Sequence, residues 1–203
     1  MHTITRRALW DEARPLFAIT ALLLIITAVV YPLAVLGIGQ SLFHSEANGS
    51  IITVGGHAIG SSLIGQQFTQ VQYFHPRPSA AGSGYDASSS GGSNLGPASK
   101  ALIENVQQRV QAFIKENDLP PGTKVPVDAV TASASGLDPD ISPATAALEV
   151  RRVAKARGVQ PALVQSLVDE HTSQPALGFI GQPRVNVLEL NIALDEQFPV
   201  QDR

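Results

Sequence analysis

From Leu16 to Gly39 the chain carries no charged side chain, and nearly every residue is apolar. At 1.5 Å per residue this run makes roughly 36 Å of helix, enough to cross a bilayer core of about 30 Å with some tilt. A secretory apolar region is usually only about 7–15 residues long. No small-residue cleavage site follows, so the pattern predicts an uncleaved anchor, ahead of a cleaved signal peptide or a buried core helix. Pro32 removes a backbone donor inside this segment and predicts a kink near its end.

Beyond the anchor the periodicity shortens and alternates. Ile51, Ile52 and Val54 precede Gly55-Gly56, and Ala58 and Ile59 follow, which predicts a small β-hairpin over 50–65. A further short element is expected over 62–68. Leu102, Ile103, Val106, Val110, Phe113 and Ile114 form one stripe at helical spacing, predicting an amphipathic helix over 97–117. Ser142-Pro143 opens a second helix as N-cap and first position, and Gly158 stops it. A third runs from Pro161 to His171, with Leu163, Val164, Leu167 and Val168 facing inward. Asn186 and Glu189 have capping-box spacing, which predicts a short strand near Arg184 leading into a final helix. The prediction is an α+β protein: a transmembrane helix at 16–39 between a cytoplasmic stretch 1–15 and a single mixed extracytoplasmic domain at 45–203.

Direction follows from the flanks. Arg6, Arg7 and Arg14 precede the apolar run, whereas no Lys or Arg follows it until Arg77. By the positive-inside rule the N-terminus is cytoplasmic and the domain lies outside. Asp11 and Glu12 argue against reading the paired arginines as a twin-arginine signal. Within the anchor, Thr20, Thr27 and Tyr31 recur on one face. Small and polar faces are the usual contacts between membrane helices, so this one is expected against a partner helix, although isolated Thr and Tyr are tolerated anywhere in such segments.

Composition narrows the chemistry. The 203 residues have a formal net charge of -3, so no basic surface points to nucleic acid. The chain has no cysteine, which excludes disulfides, thiolate metal sites and thiol catalysis. Its five histidines, His2, His44, His57, His75 and His171, are scattered and form no metal-binding spacing. Asp138 and Asp140 flank Pro139, an arrangement expected of a structural turn rather than a carboxylate pair.

Two features leave alternatives open. Residues 79–96 are rich in Gly and Ser with almost no large apolar side chain. Within them, Ser90, Gly91, Gly92, Ser93 and Asn94 could present successive N–H groups to an anion or nucleotide, or form a shaped loop against a partner protein. Arg151, Arg152 and Arg157 on one helix, with Arg184 near the end, read either as salt bridges within the domain or, for Arg151 and Arg184 above all, as contacts to an acidic partner.

Six stretches carry a resemblance: Gly60–Phe68, Tyr73–Ala80, Ser90–Pro97, Val130–Ala144, Arg152–Gly158 and Gly181–Asn191. In this order they are similar to the C subunits of the bacterial Kdp potassium pump, with the anchor in the expected place. Gln182 stands where that family is expected to carry an acidic residue, and Ala98 and Ser99 where Thr and Asn are frequent. The resemblance implies a single-pass subunit of an inner-membrane complex that imports potassium at the expense of ATP. Its implied partners are a channel-like potassium-translocating subunit, a P-type ATPase catalytic subunit and a very small membrane peptide. It also implies a subunit that hydrolyses nothing itself and is described as a catalytic chaperone raising the ATPase subunit's affinity for ATP. No cofactor is assigned to this chain; ATP is implied for the complex. Direct ATP contact conflicts with the arginine bias, because the domain would have to reach across about 30 Å of bilayer. The rivals are an anchored periplasmic enzyme using Ser135 or Asp138, and a free-standing anchored binding domain.

Overall fold

The computed structural model describes residues 6–200, with side chains from Trp10 onward. Part of the expected stretch 1–15, with His2, and residues 201–203 of the expected domain lie outside the described residues. The side chains of Arg6 and Arg7 do so as well. The chain divides into two units between Ser50 and Ile51.

The first unit is an apolar helix in three parts: α1 (Arg6–Ile25), a π-helical turn (Ile26–Val30) and α2 (Tyr31–Leu42). From Trp10 to Leu42 it is long and apolar enough to cross a bilayer. Pro32 explains the wide turn. Its missing N–H cannot bond the Ala28 carbonyl, and its ring would strike that carbonyl in a regular helix. Instead the N–H of Tyr31 donates five residues back to Ile26, a π-type step that absorbs the mismatch upstream of the proline. A break at Phe43 precedes the short α3 (His44–Ala47).

The second unit opens with the predicted hairpin. Strands β1 (Ile51–Val54) and β2 (His57–Ser61) pair antiparallel, with a bulge after Ile52. Gly55 and Gly56 both have positive φ, 58° and 82°, as a two-residue hairpin turn requires. No regular element forms over 62–68. The core lies between three helices, α6 (Pro143–Arg157), α7 (Pro161–Glu170) and α8 (Val187–Gln197). Beside them is a small antiparallel sheet of β3 (Asp140–Ile141), β5 (Arg184–Asn186) and β4 (Thr172–Ser173), in that spatial order. Phe74, Ile141, Val153, Val164, Leu167, Val168, Val185, Val187, Leu190 and Leu194 are buried there.

The caps are local and match the sequence. The Ser142 hydroxyl accepts from the N–H of Thr145, and Gly158 takes the left-handed conformation at φ 68°. The Asn186 side chain accepts from the N–H of Glu189. The carboxylate of Asp128, on the short α5 (Val127–Val130), accepts from the N–H and hydroxyl of Ser142 and from the hydroxyl of Thr145. One expectation of burial fails. Leu163 is exposed, because it sits at the edge of the arc occupied by Val164, Leu167 and Val168. The stripe of α4 (Lys100–Glu116) is only partly covered, and none of its residues is buried.

Candidate functional site

The irregular segment 71–78 has no ladder to satisfy its backbone, and a buried polar backbone needs partners. Side chains of α6 and α8 supply them. Arg152 donates from Nη1 to the carbonyls of Val71 and Tyr73, from Nε to Asn117 and from Nη2 to Glu149. Arg157 donates to the carbonyls of Gln72, Leu194 and Phe198 and to the carboxylate of Asp195. Its guanidinium also lies 5.1 Å from the centre of the Tyr73 ring. Asn191 exchanges two hydrogen bonds with the backbone of Phe74, accepting at 2.8 Å and donating at 3.0 Å, as a neighbouring strand would. The next N–H, of His75, donates to Glu149. A planar guanidinium with five fixed donors suits several carbonyls at once, which a lysine could not serve.

Of the three arginines on α6, then, Arg152 and Arg157 are buried clamps, while Arg151 is exposed. Arg184, also exposed, pairs with Asp140 at 3.0 Å. The fold thus takes up Arg152, Arg157 and Arg184 in bonds within the domain.

A cleft of about 350 Å³ opens beside this strap, lined among others by His75, Arg77, Tyr85, Arg109, Phe113 and Glu116. The two ring nitrogens of His75 face Glu116, at 3.1 Å, and the carbonyl of Gln70, at 3.1 Å, so only the protonated ring can donate to both. The hydrogen bond from His75 holds Glu116 below the usual carboxylate range. Burial pushes Glu149 up to about 7, against the pull of Arg152. Tyr85 donates to the carbonyl of Arg77, and burial raises its hydroxyl as well.

The Gly/Ser stretch folds onto its own chain. The N–H of Gly91 and the hydroxyl of Ser90 both donate to the carbonyl of Ser135, at 2.8 and 3.0 Å. The hydroxyl of Ser79 donates to the carbonyl of Gly136 and accepts from the N–H groups of Ala81 and Tyr85. Gly92 lies against the backbone of Ser133 and Ala134, and Ser93 and Asn94 are exposed. The loop does not run directly into a helix: residues 95–99 separate Asn94 from α4. Sequence singled out Gly91 and Gly92, whereas the glycine that leaves no room for a side chain where this loop packs is Gly136. It has φ 68°, and a Cβ there would meet the Gly91 oxygen at 2.6 Å and the Ala81 nitrogen at 2.7 Å.

Ser135 and Asp138 do not assemble a nucleophile with a base. The hydroxyl of Ser135 accepts from the N–H of Leu137. Asp138 pairs with Arg77 at 2.6 Å and accepts from the N–H of Asp140. Burial pushes Asp140 up, opposed by Arg184. Among the described residues no group of three His, Asp or Glu could hold a metal ion. In the first unit, the Thr27 hydroxyl donates to the Leu23 carbonyl of its own helix at 2.7 Å, and Thr20 and Tyr31 are exposed on the chain alone.

Comparison with known proteins agrees with the sequence motifs. The family model described as the K+-transporting ATPase c chain matches residues 13–196. A protein of Mycobacterium tuberculosis (strain H37Rv) is 55% identical over 180 residues, covering 88% of this chain and 95% of its own length. One of Caulobacter vibrioides (strain CB 15) is 52% identical over 190 residues, 93% of this chain and 95% of its own. One of Beijerinckia indica is 51% identical over 191 residues, 94% and 96%. Each of these relatives is named a potassium-transporting ATPase KdpC subunit.

Proposed function

The chain belongs to the KdpC family of K+-transporting ATPase c chains, and on that premise we propose that it is the non-catalytic, single-pass subunit of an ATP-driven potassium-import complex. The anchor is the uncharged run 16–39 within the helix from Trp10 to Leu42, in the bacterial inner membrane with its N-terminus in the cytoplasm. Residues 45–203 form the extracytoplasmic domain. The partners are a channel-like potassium-translocating subunit, a P-type ATPase catalytic subunit and a very small membrane peptide. The face of Thr20, Thr27 and Tyr31 meets one of their helices, and Arg151 and Arg184 lie on the surface offered to them.

The domain acts in assembly and stability from the outer side, not by holding ATP. The observation that carries this is the state of the Gly/Ser loop, whose Ser90 hydroxyl and Gly91 N–H are already committed to the Ser135 carbonyl. A nucleotide would have to displace them.

The test is purification of the tagged full chain in mild detergent. Partner subunits with potassium-stimulated ATPase activity should come with it, and a membrane preparation lacking this chain should yield an unstable complex. Recovery of the chain alone, with hydrolytic activity of its own, would overturn the reading.

A further inference from the structure

The cleft beside the strap, of about 350 Å³, is lined by polar groups with bonding capacity to spare. Glu149 is the first. Its side chain is only 1% exposed. One oxygen, Oε2, accepts from the N–H of His75 and from Arg152, whereas Oε1 is enclosed with no partner among the described residues. Arg77 is the second. It gives Nη1 to Asp138, and its buried Nε has no acceptor among the described residues. Native folds seldom keep a buried polar atom unpaired, and here two such residues line one cleft.

The balance of charge gives the sign of what fits. The carboxylates around the cleft are taken: Glu116 by His75, Asp138 by Arg77 and Glu149 by Arg152. Arg109 on α4 also lines the cleft, donates Nη1 to the carbonyl of Val130 at 3.2 Å, and has no carboxylate partner among the described residues. One positive charge is thus left over, which suits a single carboxylate. A doubly charged phosphate would meet Glu116 and Glu149 on the same walls. Arginine also holds a carboxylate by paired, charge-assisted hydrogen bonds. Phe68 and Phe113 add apolar wall. The volume is that of a small-molecule site, and one Asp or Glu side chain of a partner would fill little of it.

We propose that this cleft binds a small organic acid, with its carboxylate on Arg77 and Arg109 against Oε1 of Glu149 and its apolar body on Phe68 and Phe113. Burial pushes Glu149 up to about 7, opposed by Arg152 on its own helix and His75 of the strap and reinforced by Glu116 of α4. Because Oε2 already accepts twice, the proton belongs on Oε1, where it donates to the incoming carboxylate. The inference is independent of the subunit role, since it concerns the chain alone.

The probe is 4-fluorobenzoate, titrated into the purified full chain in non-ionic detergent and followed by fluorine NMR. One saturable site, displaced by acetate and not by equal phosphate or chloride, supports the proposal. Arg109→Gln should weaken binding by on the order of tenfold, as loss of a charge-assisted hydrogen bond does. Arg77→Lys keeps the charge beside Asp138 but loses the guanidinium fork, and should weaken it similarly. Lys124→Gln, exposed and outside the cleft, should change nothing. An unchanged thermal unfolding midpoint shows that the variants fold. Affinity should decline as pH rises through about 7. No saturable site, equal binding by wild type and Arg109→Gln, stronger displacement by phosphate than by acetate, or an affinity that does not move with pH would each overturn the site. The same titration on the assembled complex should give the same site. Its loss there would show the cleft filled by a partner chain and overturn the free acid as occupant.

Discussion

At the scale of single residues, stability rests on a few buried charges that hold irregular backbone. Arg152 is the centre, with Glu149 its enclosed counterion. Arg152→Ala should cost about 3–5 kcal/mol, because Glu149 is left buried and unpaired and two carbonyls lose their donor. Urea unfolding of the full chain in detergent, followed by circular dichroism, measures this, and a loss below about 1 kcal/mol would show the clamp to be dispensable. The pH dependence has a sign. Burial lifts Glu149 from 4.5 to about 7. Its contribution is therefore fully present below 4.5 and is lost as pH rises through about 7. Glu116, held low by His75, acts the other way: its contribution is present above 4.5 and is lost as pH falls. Glu149→Gln should flatten the decline in stability from 4.5 to about 7, and an unchanged slope across that window would assign it elsewhere. The arginines were legible in the sequence as charges on one helix, but their burial was not. What Arg152 and Arg157 hold lies about eighty residues earlier in the chain, and no local period reports such a contact.

Among elements, what could be read was what is decided locally. The Gly-Gly hairpin, the Ser-Pro start of α6, its Gly158 stop and the Asn186 cap of α8 each depend on neighbours within a few residues. The membrane helix was legible from composition. Its π-helical turn was not, although Pro32 foretold a disturbance and the fold answers it by widening the turn upstream. The Gly/Ser stretch left two readings open, an anion or nucleotide loop and a shaped loop against a partner protein. Such a chain loses much entropy on folding, so some surface must hold it. The structure supplies that surface from within, at residues 133–136. The critical glycine is accordingly Gly136 and not Gly91, where an added Cβ would meet nothing within 4 Å. Gly136→Ala forces a left-handed alanine against backbone atoms, so a loss of about 1–3 kcal/mol is expected. Limited proteolysis should then cut within 79–96 faster than in the wild type, while Gly91→Ala leaves the rate unchanged. Equal rates for both variants would show the loop to be held by something else.

For the whole molecule, direction in the membrane decides which chemistry the domain can reach, and no contact within the chain fixes it. The helix would cross a bilayer either way. The charges on the flanks of the uncharged run 16–39 carry the choice: Arg6, Arg7 and Arg14 stand before it, and no Lys or Arg stands after it until Arg77. Asp11 and Glu12 lie among these arginines, but acidic residues weigh little in the rule. The domain should therefore lie outside, away from ATP. Because the chain has no cysteine, one introduced residue reports without background. Ser93 is exposed on the Gly/Ser loop, so Ser93→Cys disturbs little. A membrane-impermeant maleimide should label this variant in intact spheroplasts as fully as after lysis. A cysteine placed before Trp10 should react only after lysis. The opposite pattern would put the loop on the side where ATP is abundant. A nucleotide would then compete with the Ser135 carbonyl for the Ser90 hydroxyl and the Gly91 N–H, and the chaperone role implied by the family resemblance would become a matter of direct contact.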